Sequence, residues 1–160
     1  MNNRAAALVL VASMACASAA LAEQLATQPD DRLTPGSVST DSENTVCRSG
    51  YSAMVESAMP RGRRASVYRA YGIANGDHGY VIDHRVPRSL GGTNDIENLW
   101  PEPKSGPMNS HVKDRVESLI HRMVCQQHRL ALKAAQHLFL GDWQAVWVAY
   151  GFPPPLYMQE

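Results

Sequence analysis

Cysteine is scarce in this chain, with three residues in 160 and no Cys-x-x-Cys pair. A four-cysteine structural zinc site is therefore excluded. Charge of one sign is lacking as well. Lys and Arg number 15 and Asp and Glu also number 15, so no overall cationic character announces a nucleic-acid partner. The apolar run near the N-terminus spans about 16 residues, short of the roughly 20 that a membrane-spanning helix needs. There is no internal repeat, and no stretch reads as a separate domain for reading nucleic-acid sequence.

What is present fits one domain. A chain of 160 residues can bury a modest core, and 44% hydrophobic with 19% charged residues is ordinary for a soluble globular protein. Residues 1–22 stand apart. Arg4 supplies positive charge, residues 5–20 are almost wholly apolar or small, and Ala20-Leu21-Ala22 offers small residues at the cleavage positions. This reads as a secretory signal cut after Ala22, which implies export to the periplasm or the extracellular space. A membrane anchor is one alternative. A lipoprotein signal at Cys16 is another, although Ser13-Met14-Ala15 matches a lipobox poorly. Cleavage removes Arg4 and Cys16 and leaves a net charge of −1, with Cys47 and Cys125 as the remaining cysteines. In an oxidising compartment an even pair suggests a disulfide; two buried free thiols are the alternative.

Residues 23–45, rich in Ser, Thr, Asp, Gln and Pro, read as a flexible leader, with the folded domain over 46–160. Helices are expected over 52–59, stopped by Pro60, and over 65–71, ended by Gly72. Residues 80–83 are short, apolar and β-prone, which favours a strand. A loop over 85–97 carries Pro87, Gly91, Gly92 and Asn94, and Leu99-Trp100 forms a second short strand. Asn109 or Ser110 is a plausible N-cap for a helix whose apolar stripe is Val112, Val116, Leu119, Ile120, Met123 and Val124. Further helices are expected over 130–140 and 142–150. Basic residues are unevenly spread: between Arg61 and Arg122 there are ten Lys/Arg against seven Asp/Glu. Arg61, Arg63, Arg64 and Arg69 could meet a phosphate backbone or form a solvated surface.

The chemistry-bearing residues sit between Tyr80 and Asp114: Asp83-His84 at the end of the apolar run, Pro87 and Gly91-Gly92 in the loop, Asn98-Leu99, and His111 with Lys113 at the start of a helix. This order resembles the HNH branch of the His-Me finger (ββα-metal) nucleases. The wider pattern is similar to a group of small exported bacterial HNH proteins. It includes Cys47, Gly50-Tyr51, His121-Arg122-Met123-Val124-Cys125, Ala135-Gln136 and Asp142-Trp143. The resemblance implies an α+β fold: a small ββα-metal core flanked by several helices and predominantly helical overall. The zinc-binding cysteine pairs that often clamp that family are missing, and a Cys47–Cys125 disulfide would replace them.

The resemblance also implies the roles. His84 is the candidate general base, since a neutral imidazole accepts a proton from water near pH 7. Asn98 ties the loop together and helps hold that base. Asp83 and His111 would be ligands of one divalent ion, Mg²⁺ or Mn²⁺, with Zn²⁺ or Ni²⁺ as alternatives. Asp83 and His84 are adjacent and can serve one site only if the strand bends there. Arg85, Arg88 and Arg115 are candidate phosphate contacts. The implied activity is metal-dependent hydrolysis of DNA, or of RNA, with low sequence specificity, by a monomer that has no membrane attachment once its signal is cut. A non-catalytic HNH-like module binding nucleic acid or protein is the alternative. His78 reads as a loop residue or a spare ligand, and Trp100 as core or as a base-stacking surface. The processing reading predicts an intact mass for the exported protein that starts at Glu23; a mass retaining residues 1–22 would refute it.

Overall fold

The computed structural model describes residues 27–74 and 77–152, so the expected signal segment lies outside the described residues. The architecture is α+β and mostly helical, with one small antiparallel sheet. Three short helices come first: α1 (Glu43–Val46), α2 (Tyr51–Ser57) and α3 (Arg63–Ala70). Strand β1 (Tyr80–His84) pairs with β2 (Leu99–Pro103), placing Asp83 opposite Trp100 and His84 opposite Leu99. The connecting loop contains two 3-10 turns, Arg88–Leu90 and Ile96–Asn98. Helices α4 (Ser110–Cys125), α5 (Leu132–Leu140) and α6 (Trp143–Ala149) complete the chain.

Local chemistry accounts for these elements. Asn109 caps α4, its side-chain oxygen accepting from the amides of His111 at 3.0 Å and Val112 at 3.3 Å, which satisfies two orphan donors of the first turn. Asp142 caps α6 through the amide of Gln144 at 2.9 Å. The buried face of α4 carries Val116, Ile120 and Val124, which pack with Leu132, Ala135 and Phe139 of α5 and Trp143, Val146 and Trp147 of α6. Helix α3 packs against β2. The loop closes tightly over Gly92: a Cβ there would lie 1.8 Å from the Val86 carbonyl oxygen, so no larger residue fits. Trp100 is 0% exposed and belongs to the core, not to a stacking surface.

The expected flexible leader over 23–45 needs correction across 27–45. Thr34 is fully buried and its hydroxyl donates to the Leu99 carbonyl at 3.0 Å. The Gly36 amide donates to Glu97 at 2.8 Å, the Ser39 amide to Gly91 at 2.8 Å, and Thr93 donates back to Ser37 at 3.0 Å. Val38 bridges Gly92. The segment is held mainly by its backbone groups against the glycine loop, so its lack of large apolar side chains did not prevent order.

Cys47 and Cys125 form a disulfide, with Cα atoms 5.3 Å apart and 78 residues separating them in sequence. It joins the end of α1 to the last residue of α4. On the chain-entropy account, closing a loop of this length stabilises the fold by up to about 4 kcal/mol. The Cys47→Ser/Cys125→Ser variant should therefore lose about 2–4 kcal/mol in urea unfolding, and an unchanged midpoint and slope would contradict this role.

Candidate active site

Strand β1 ends at His84, and a bend through Arg85 and Val86 follows. The two adjacent side chains at that end go separate ways, as strand geometry requires. The Asp83 carboxylate turns to α4, where its Oδ2 lies 2.5 Å from Lys113 Nζ. The His84 ring turns toward the loop and is only 5% exposed. Lys113 joins the two positions, because its ammonium also donates to the His84 main-chain carbonyl at 2.8 Å.

The His84 ring is oriented by Asn94. His84 Nε2 lies 2.8 Å from Asn94 Oδ1, while Asn94 Nδ2 donates to the Val55 carbonyl at 2.6 Å. The carbonyl fixes which end of the Asn94 amide is nitrogen, so Asn94 presents an acceptor to the ring. His84 Nε2 then carries the proton, and Nδ1 holds the free lone pair. Burial holds the imidazole pKa below its ordinary value; Asn94 and Asp83 oppose this, and the charges of Arg88 and Lys113 add to it. His84 is a neutral base near pH 7.

Asn98 is fully buried and spends its amide on the backbone. Its oxygen accepts from the Val86 amide at 2.9 Å, and its nitrogen donates to the carbonyls of Val86 and Thr93, both at 3.0 Å. It ties the loop, as expected, but it makes no hydrogen bond to the His84 ring. It is a positioning residue, and holding the imidazole falls to Asn94.

The candidate phosphate contacts divide. Arg85 is corrected: it is 6% exposed and turned inward. Its guanidinium donates to the Thr34 carbonyl at 2.7 Å and to the carbonyls of Phe139 and Leu140 at the end of α5, and it pairs with Asp31 at 2.5 Å. A cation at a helix C-terminus meets carbonyls with no other partner, and this holds Arg85 in the interior. Arg88 stays beside His84 and pairs with Glu56 at 2.8 Å. Arg115 is exposed, with its guanidinium 5.5 Å from the Trp147 ring centre. Of the Arg61–Arg69 group, Arg64 braces the approach to β1 by donating to the carbonyls of Asp77 at 3.1 Å and Tyr80 at 3.2 Å.

Sequence reasoning missed a buried charge cluster. Lys113 is 1% exposed and contacts Asp83 and Glu117, with Glu102 close enough to act on its charge. Burial works against the ammonium, but the three carboxyl groups outweigh it and keep the lysine charged. Burial also raises the Asp83 carboxyl, and the Lys113 charge with a hydrogen bond from Glu102 brings it below its ordinary value. Glu102 is 1% exposed, and burial beside Asp83 pushes its pKa up to about 10. As a carboxylate it would have no donor for either oxygen; protonated, its hydroxyl donates to Asp83. Glu117 is raised to about 7, by burial first, with Lys113 opposing. The cluster left one signal in the sequence. At about 100° per residue, Lys113 and Glu117 fall on the same face as Val116, Ile120 and Val124.

No group of three or more His, Cys, Asp or Glu among the described residues is arranged to hold a metal. Asp83 gives Oδ2 to Lys113, yet its side chain remains 22% exposed. His111 is exposed on the first turn of α4, and Asp114, one turn along, feels the charges of both Asp83 and His111. One carboxylate and one imidazole would leave most positions of a hard cation to water, and Asp83 and His111 are tied to one locality only by both acting on Asp114. They do not form a closed cage. Comparison with family models, with curated proteins and with solved structures finds no match to this chain.

The cluster sets a pH dependence. Glu102 binds its proton more tightly folded than unfolded, so its contribution is complete below its unfolded pKa and is lost as pH rises toward about 10. Glu102→Gln keeps the shape and a donor while removing the titration. It should flatten the alkaline decline in stability and exceed the native protein at pH 8 by on the order of 1 kcal/mol or more. Thermal unfolding from pH 5 to 9 checks this; parallel curves for the two proteins would refute it.

Proposed function

We propose that the chain is an exported HNH-type endonuclease that hydrolyses phosphodiester bonds of DNA, or of RNA, with low sequence specificity, working as a monomer. The observation that carries this reading is the neutral His84 imidazole. Its tautomer is set by Asn94, and it stands next in sequence to an Asp83 carboxylate kept ionised by Lys113. The strand–loop–strand–helix order around these residues supports a ββα-metal core.

In this reading His84 takes the proton of the attacking water on Nδ1. Asn94 keeps Nε2 protonated and the ring fixed. Asn98 and Gly92 hold the loop so that the ring is presented at one angle. Lys113 holds Asp83 as an anion and anchors the main chain of His84 to α4. Asp83 and His111 would hold the divalent ion, Mg²⁺ or Mn²⁺, which supplies positive charge toward the phosphate when bound. A second reading, a non-catalytic exported module that binds nucleic acid or protein, is favoured by the low exposure of His84.

His84→Ala should keep its circular dichroism and slow plasmid cleavage by a factor on the order of 10² or more. Excess chelator should abolish cleavage, and added Mg²⁺ or Mn²⁺ should restore it. Asp83→Ala and His111→Ala should each raise the metal concentration for half-activation. Absence of cleavage of single- and double-stranded substrates with all of these ions would transfer the case to the binding module.

A further inference from the structure

The exposed face of α4 continues away from the candidate site. With about 100° per residue, Arg115, Ser118 and Arg122 fall within about 60° of His111, so the four residues form one stripe. All four are exposed. A cavity of about 300 Å³ opens along this stripe, lined by Asp114, Arg115, Ser118, Arg122 and Phe152. Asp114 stands at the end nearest the site, where it feels Asp83 and His111.

The two arginines are free to take a ligand. Among the described residues neither side chain makes an ion pair, although carboxylates engage Arg32, Arg85, Arg88 and Lys113. Arg115 is nevertheless held in place. Its guanidinium lies 5.5 Å from the Trp147 ring centre and 5.9 Å from that of Phe152, and those rings stack at 4.3 Å. A guanidinium resting on aromatic faces keeps its in-plane N–H groups available, the geometry that grips a phosphate with two hydrogen bonds. Ser118 adds a neutral hydroxyl between the charges.

We propose that Arg115, Ser118 and Arg122 form a phosphate-binding track that guides a nucleic-acid strand along α4 to the site at His111. Arg115 and Arg122 are seven positions apart, about 10 Å along the helix axis. That span matches about three nucleotide steps of one strand measured along a duplex axis, at about 3.4 Å each, and fewer steps of an extended single strand. The track reads backbone charge and not base identity, in keeping with low sequence specificity. It rests on the reading of the protein as a nuclease.

Binding and cleavage test the track separately. Fluorescence anisotropy of a labelled oligothymidylate, in chelator so that binding alone is followed, is measured across a salt series for the full chain and its variants. Each lost phosphate contact to a single strand lowers the salt slope by about 0.7. Arg122→Ala, whose side chain makes no hydrogen bond or ion pair among the described residues, should lower the slope by about 0.7. Arg115→Ala/Arg122→Ala should lower it by about 1.4, and Arg115→Lys/Arg122→Lys should restore it. Lys133→Ala, on the exposed side of α5, should leave it unchanged. Absence of binding, an unaltered slope in the double alanine variant, or an equal loss in Lys133→Ala would overturn the track. Arginine-dependent binding without cleavage in Mg²⁺ would leave the track standing and remove the nuclease reading. Cleavage with binding indifferent to the two arginines would do the reverse.

Discussion

The Lys113 ammonium is the contact on which this small fold turns. It reaches from the second turn of α4 to the Asp83 carboxylate, to Glu117 and to the main-chain carbonyl of His84. A two-stranded sheet is marginal alone, and this one is fastened to the helical body at the end that carries the chemistry-bearing residues. The fastening is also electrostatic. A buried ammonium must be surrounded by acceptors, and its charge in turn keeps Asp83 ionised while burial beside that anion keeps Glu102 protonated. One cation thus determines the strand's seat and the charge state of its last residues together.

The outlines of the fold were legible in the residues. Periodicity and punctuation located the helices at Tyr51–Ser57, Arg63–Ala70, Leu132–Leu140 and Trp143–Ala149 to within two residues at either end. Side-chain chemistry narrowed the cap of α4 to Asn109 or Ser110, and it is Asn109. The β1–β2 pairing followed from two short apolar runs around a glycine loop. The role of Asn98 as a loop tie came from the resemblance to the HNH pattern, and the hydrogen bonds of its amide to Val86 and Thr93 agree with that part of it.

Partnerships between distant residues were not legible. Lys113 and Glu117 have the spacing of a solvated helix pair, and only their position on the apolar face of α4 betrays them. Glu102 lies two residues from Trp100 on β2 and so shares its face, but the second strand was read only as far as Trp100; the structure buries Glu102 beside Asp83 and Lys113. Arg85 follows the Asp-His pair in sequence and reads as part of it, yet the helix end it satisfies belongs to α5. Asn94 was read only as a turn residue, because its tie to Val55 crosses to a helix that no local pattern connects to it.

The N-terminal strap makes the topology non-local. Thr34 meets Leu99 across 65 residues, and Thr40 meets Gln136 across 96. Contacts of that separation close long loops, and their closure costs chain entropy before any contact offsets it. Seating residues 27–45 on the glycine loop and the end of α5 therefore raises the contact order of an otherwise helical chain, and such a chain folds more slowly than one built of neighbouring helices alone.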